Sequence, residues 1–188
     1  MKLLQKNIGI VAFLGPYMQN KKLLDSLGVH TTFVKTLEDL ESVDALIIPG
    51  TEYIPLRFSL KELFPAIMKR VQEGMPLLLT GAASLLLDEK KETPLSCKKM
   101  NIQSYEPKNN KRYNEQVRLQ FSDTREFTAV FVRSPVCLQL GKGFLVLSEK
   151  QSDGGEVIMM EQDNILSCTF YPELSEDIRI HEYFVTKI

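Results

Sequence analysis

Ile8-Gly9-Ile10-Val11-Ala12-Phe13, closed by Gly15-Pro16, is a short apolar run that ends at a turn signal. Its apolar residues do not alternate with polar ones, and a short continuous run of this kind suits a strand covered on both faces, as in a parallel sheet. Working outward, the spacing predicts a helix over Met18 to Leu27, with Leu23, Leu24 and Leu27 on one face and Gly28 as its stop. Thr31 to Val34 and Ala45 to Ile48 read as two further strands, the second ending at Pro49-Gly50. Ser59 with Glu62 reads as a capping box ahead of Leu60, Leu63, Phe64, Ile67, Met68 and Val71, which share one helical face, and Pro65 starts a second helical piece or kinks this one. Gly74 and Pro76 end that helix, and Leu77 to Leu79 is a fourth strand. Strands alternating with helices of this length imply an α/β fold: a mostly parallel central sheet with helices on both faces.

From about Asp88 to Asn114 no period is sustained, and the stretch reads as an irregular excursion. Beyond it, Gln116 to Phe121, Thr128 to Val132, Phe144 to Leu147, Val157 to Met160 and Ile165 to Phe170 read as short, mostly antiparallel strands. The chain closes with Ser175 as a cap, Glu176 and Asp177 in a first turn, and a helix carrying Ile180, Tyr183 and Phe184. No repeat or linker interrupts it, so residues 1–188 are expected to form a single domain.

The 23 basic and 24 acidic residues nearly cancel among 188, which gives no electrostatic reason to expect nucleic acid or an anionic membrane as a partner. The longest mostly apolar run, Met75 to Leu87, is too short to cross a bilayer, where roughly 20 residues are needed. Lys2 and Lys6 ahead of an apolar stretch imitate a signal peptide, but Gly15-Pro16-Tyr17-Met18 offers no small-x-small cleavage site. Cys97, Cys137 and Cys168 are odd in number and lack metal-ligand spacing, so buried free thiols and a reducing, cytoplasmic setting are expected, with no metal and no cofactor. His30 and His181 are the only histidines. In an open sheet of this type ligands sit beyond the carboxyl ends of the strands, which singles out the turns Leu14 to Tyr17, Pro49 to Tyr53, Thr80 to Ala83 and Phe170 to Glu173.

Those turns, in that order, resemble the glutaminase subunit of pyridoxal 5′-phosphate synthase, a branch of the class I glutamine amidotransferases. Leu46-Ile47-Ile48-Pro49-Gly50-Thr51-Glu52 is similar to the family's L-I-L-P-G-G-E, and Val132-Arg133-Ser134-Pro135 to its I-R-A-P. Thr169-Phe170-Tyr171-Pro172-Glu173-Leu174 is similar to S-F-H-P-E-L, and Asp177 to Phe184 to D-x-R-x-H-x-Y-F. The resemblance implies a three-layer, flavodoxin-like fold. It also implies a Cys at a sharp strand-to-helix elbow, a His that takes its proton and a Glu that orients the His.

Leu79-Thr80-Gly81-Ala82-Ala83 stands where the family has G-T-C-A-G. By this resemblance the nucleophile position is Gly81 and the base position is Tyr171, both lost, while the orienting carboxylate, Glu173, is retained. Gly50, Thr51, Glu52, Ala82, Val132 and Arg133 would line a glutamine pocket, with the amides near Thr51 and Ala82 as oxyanion donors. Thr51 replaces a second Gly, Leu14 stands where the family has Gln, and Asn110 to Gln116 stands where it has R-N-A-F-G-R-Q.

Other readings of the same residues stay open. Glu173 could be a surface carboxylate, Arg133 a structural ion-pair member, His181 a packed or capping residue and Cys168 a small core residue. Thr80 and Ser84 flank the elbow but have no histidine to activate them. A group without a side chain forms no thioester, and a phenol with a reference pKa of about 10 is a poor base at neutral pH. The leading expectation is a non-catalytic scaffold or regulator that binds a pyridoxal 5′-phosphate synthase subunit or an active glutaminase paralogue. The alternatives are a weak or altered glutamine hydrolase and an amino-acid sensor that holds glutamine between Glu52 and Arg133.

Overall fold

The computed structural model describes residues 6–88, 90, 101–103, 112–122, 125–151 and 155–188. A central sheet takes strands from both halves of the chain: β1 (Asn7–Val11), β2 (His30–Val34), β3 (Ala45–Ile48), β4 (Leu77–Leu79), β9 (Leu145–Glu149), β10 (Val157–Gln162) and β11 (Ile165–Cys168). Their order is β2-β1-β3-β4-β11-β10-β9. The first five in that order run parallel, and β10 and β9 are antiparallel additions at one edge. Two small antiparallel pairs flank it, β5 (Asn101–Gln103) with β8 (Val136–Gln139) and β6 (Tyr113–Val117) with β7 (Phe127–Phe131).

Alternation along β3 shows how the layers form. Leu46 and Ile48 face a core shared with α2 (Leu37–Glu41), α3 (Tyr53–Leu60) and α4 (Phe64–Gln72). Ala45 and Ile47 face a second core with α1 (Tyr17–Ser26), α5 (Arg179–Val185) and the β6–β7 pair. All four residues are fully buried, so a strand of period two sits between two apolar layers and shows no polar face. None of the helices among the described residues is long and apolar enough to cross a membrane.

The structure corrects several boundaries. Ser59 lies inside α3, and α4 begins at Phe64 with Pro65 in its first turn, so the expected capping box is absent and the proline opens a second helix. The last helix starts at Arg179, four residues after Ser175. Asp177 accepts from the Arg179 main-chain N–H and pairs with its guanidinium, which holds 175–178 as a turn. The strand expected over Gln116 to Phe121 starts three residues earlier and ends at Val117, as β6, because pairing with β7 rather than apolar content defines it. The helix α2 and the strands β5 and β8 were not foreseen in the sequence. Most of the irregular stretch after Asp88, with Cys97, Asn110 and Lys111, falls outside the described residues.

Candidate active site

Three segments far apart in sequence meet beyond the carboxyl ends of β3, β4 and β11. After Leu79 the chain stays extended at Thr80, turns left-handed at Gly81 with φ +52, and enters a 3-10 turn over Gly81–Leu87. A left-handed φ there is steric work that glycine does without strain. The Gly81 N–H donates to the Phe170 carbonyl at 2.9 Å, and the Gly50 N–H donates to Thr80 Oγ1 at 3.2 Å. A Cβ on Gly50 would lie 2.4 Å from the Thr80 carbonyl oxygen and 2.8 Å from the Ala82 nitrogen, so only glycine lets these turns approach.

Tyr171 fills the space above the elbow. A Cβ on Gly81 would stand 2.2 Å from Tyr171 Cζ and 2.5 Å from Cε2, well inside van der Waals contact. The ring is 7 % exposed, and its backbone N–H donates to the Val130 carbonyl at 2.8 Å, which fixes its residue against β7. Burial pushes the phenol up to about 12, with the Ala82 backbone acting in the opposite direction. At neutral pH it is a neutral hydroxyl and no base.

Glu173 is 3 % exposed, which settles its open reading against a surface carboxylate. Its Oε1 accepts the Thr80 hydroxyl at 2.8 Å, and its Oε2 is buried without a hydrogen-bond partner among the described residues. Burial raises this carboxyl from 4.5 to about 7, with its own backbone, Thr80 and Asn20 acting in the opposite direction. Asn20, fully buried on α1, meets His181 Nε2 through its Oδ1 at 2.9 Å. If Nε2 carries the proton, Nδ1 is the bare nitrogen, and it too is buried without a partner among the described residues. Burial lowers His181 to about 4, so it stays neutral at ordinary pH. The sequence did not single out Asn20; a polar residue among the apolar positions of α1 was its only signal.

The expected glutamine-pocket residues come together differently. Arg133 Nη1 pairs with Glu52 Oε1 at 3.2 Å, with 47 % and 71 % of their side chains exposed. The two groups expected to hold a substrate's ends therefore hold each other, in a contact worth less than about 1 kcal/mol. Arg133 takes φ +46, and Val132 donates its N–H to Ser134 Oγ at 3.1 Å beside it. Thr51 is half-buried and is not among the residues at positive φ, so its Cβ is accommodated without a left-handed turn. Ala82 is buried at the elbow.

Other hydroxyls and thiols near the elbow are committed elsewhere. Ser84 donates to the Gly81 carbonyl at 2.8 Å, and Thr80 donates to Glu173. Burial raises Cys137 to about 11 and Cys168 well above the usual thiol range, so neither is a ready thiolate. Among the described residues no group of three or more His, Cys, Asp or Glu could hold a metal ion.

A model of the SNO glutamine amidotransferase family matches residues 10–188. The pyridoxal 5′-phosphate synthase subunit PdxT of Thermotoga petrophila is 32 % identical over 191 residues, covering 96 % of this chain and 98 % of the relative. That of Thermoplasma acidophilum is 34 % identical over 194 residues, covering 97 % and 93 %. A crystal structure of a glutamine amidotransferase superposes with a TM-score of 0.85 at 29 % identity, over 96 % of this chain and 97 % of the other. A chain of the PurLQS structure from Thermotoga maritima shares the fold, with a TM-score of 0.70 at 12 % identity over 96 % of this chain and 98 % of that one.

Proposed function

The chain belongs to the SNO glutamine amidotransferase family, and from that premise we propose that it is a non-catalytic homologue of the glutaminase subunit of pyridoxal 5′-phosphate synthase, acting as a scaffold or regulatory subunit. One observation carries this reading: the Tyr171 ring occupies the volume in which a side chain on residue 81 would stand. A nucleophile cannot enter without the ring leaving, and the ring's hydroxyl cannot replace the base. Loss of one member of a catalytic triad costs roughly 10⁴- to 10⁶-fold in turnover, and further losses within the unit add little. Residues 1–188 act here as one unit, and a cytoplasmic setting suits the two buried free thiols.

The partner in this reading is either a pyridoxal 5′-phosphate synthase subunit or an active glutaminase paralogue. Ammonia release from L-glutamine, measured on the chain alone and with a synthase subunit added, is expected to stay at least 10⁴-fold below a typical enzyme rate of ~10 per second. Turnover within about a hundredfold of that rate would overturn the proposal. Native mass spectrometry with the synthase subunit and with the paralogue is expected to show a complex with one of them. A chain that stays monomeric with both would remove the scaffold role.

A further inference from the structure

We infer that the groove between the start of α2 and the end of α3 docks a second copy of this chain, in a two-fold dimer where each Phe58 ring enters the partner's groove. None of the elbow residues lines this groove, so the inference does not depend on the reading of Gly81 and Tyr171.

The helix α3 has more apolar surface than the core covers. Leu56 and Leu60 are buried and anchor it to the sheet, and residues two apart on a helix lie about 200° apart, so Ile54 and Phe58 point outward. They are 66 % and 74 % exposed, and Leu37, across the groove from Phe58, is 50 % exposed. Turning the helix to bury Phe58 would expose Leu56 and Leu60 instead. Half-buried Phe13 lines the same groove, whose volume is about 540 Å³. A cavity of about 150 Å³ already holds benzene, so a phenyl ring from outside has room here. Apolar side chains exposed singly are ordinary, but an apolar groove rimmed by charge marks an interaction surface.

The charge on the rim selects the occupant. Exposed Lys35 and Glu38 stand on the α2 bank, and exposed Lys61 and Glu62 on the bank that follows α3. None of the four forms an ion pair among the described residues. Each bank thus carries one charge of each sign, and a partner of a single sign would be repelled by half of the rim. A copy turned about a two-fold axis along the groove sets each bank against the opposite bank, so that Lys35 faces the partner's Glu62 and Lys61 faces the partner's Glu38. The symmetry repeats both pairs, and the sequence complements itself. Ten residues line the groove, fewer than the roughly 20 to 30 a side of a standard interface, so the dimer is expected to be weak, with a dissociation constant on the order of 10 µM.

Sedimentation equilibrium of the whole chain tests this directly. Between about 1 and 300 µM the mass is expected to rise from the 21.5 kDa monomer toward twice that value. Phe58→Asp changes an exposed position, so the melting temperature is expected to hold while association weakens about 30-fold or more. Lys61→Glu sets like charges together at two symmetric places and is expected to weaken association about tenfold; adding Glu38→Lys restores both pairs and should bring it back to within about threefold of wild type. A wild type that keeps the monomer mass at the highest concentration, association unchanged in Phe58→Asp, or no recovery in the double swap would each overturn the inference. A monomeric chain whose complex with the synthase subunit is lost in Phe58→Asp would give the groove to that partner, overturning the dimer and leaving the proposed function standing. Self-association abolished by Phe58→Asp, in a chain that binds neither the synthase subunit nor the paralogue, would uphold the dimer and remove the proposed scaffold role.

Discussion

Glu173 sets the pH dependence expected of the fold at a single residue. Its carboxyl is buried, Oε2 has no partner among the described residues, and burial raises its pKa from 4.5 to about 7. A carboxyl raised in the folded state stabilises fully below the unfolded value and loses that contribution as pH climbs through the folded one, so the native state weakens between about pH 4.5 and 7. His181 acts oppositely. Its folded value near 4 lies below the usual 6.5, so its contribution is intact above pH 6.5 and is lost as pH falls toward 4. The two slopes oppose each other between pH 4.5 and 6.5, and Glu173 acts alone above that. Glu173→Gln imitates the protonated acid and keeps an acceptor for Thr80. It is expected to match wild type near pH 5 in intrinsic packing and to exceed it by on the order of 3 kcal/mol at pH 8. It should also expose the His181 slope, with stability rising from pH 4 to 6.5. Urea unfolding of both proteins across this range is the measurement, and parallel curves would contradict the assignment of the burial cost to Glu173.

At the scale of elements, the elbow and α2 make opposite demands on their residues. Gly81→Ala meets both a left-handed φ and the Tyr171 ring, and is expected to cost about 2 to 4 kcal/mol in unfolding free energy. In a Tyr171→Ala background only the backbone part remains, so the double-mutant cycle is expected to return a coupling of at least about 1 kcal/mol. An additive cycle would mean that the ring does not press on residue 81. By contrast, α2 rests on a capping box in which Thr36 Oγ1 accepts the Asp39 N–H at 3.1 Å and Asp39 returns a bond to the Thr36 N–H at 2.9 Å. Thr36→Ala should therefore cost about 1 kcal/mol by thermal melting, with no change at the elbow. The same elements show what could be read in advance. β3 was legible because Ala45 to Ile48 is buried on both faces, and few environments other than a covered parallel sheet take four such residues. α3 was not, because Pro55 falls within it. The ring is tolerated there since the first turn's N–H groups have no acceptor inside the helix. β6 reads Tyr113-Asn114-Glu115-Gln116-Val117, largely exposed, so its apolar signal is weak and only pairing with β7 defines it. The positions Gly81, Tyr171 and Glu173 were legible as a set through resemblance. The burial of Glu173, its bond with Thr80, the Asn20–His181 contact and the Arg133–Glu52 pair depend on long-range packing that no local pattern encodes.

Across the whole molecule, the parallel sheet brings residues 50, 81 and 171 within contact although 121 positions separate the first from the last. The framework that would hold a triad is thus set by β3, β4 and β11 and not by the triad's own side chains. Thr80 still ties the Gly50 turn to Glu173, and the Phe170 carbonyl still holds the Gly81 amide. Since the side chain at 171 is aimed over residue 81, an imidazole there would face a thiol at 81, with the Glu173 carboxylate behind it. Gly81→Cys alone would drive the new side chain into the phenol and is expected to destabilise, whereas Gly81→Cys with Tyr171→His removes that conflict. A thiol beside an imidazole has a lowered pKa and reacts as thiolate. Alkylation of the double variant by iodoacetamide at pH 7 is therefore expected to run tenfold or more faster than that of Gly81→Cys with Tyr171→Ala, which has the same thiol and no imidazole. Equal rates would mean that the sheet no longer directs residue 171 toward the elbow, and the loss of chemistry would then lie in the scaffold. Faster alkylation without ammonia release from glutamine would place the remaining obstacle outside the triad, where Glu52 and Arg133 already satisfy one another.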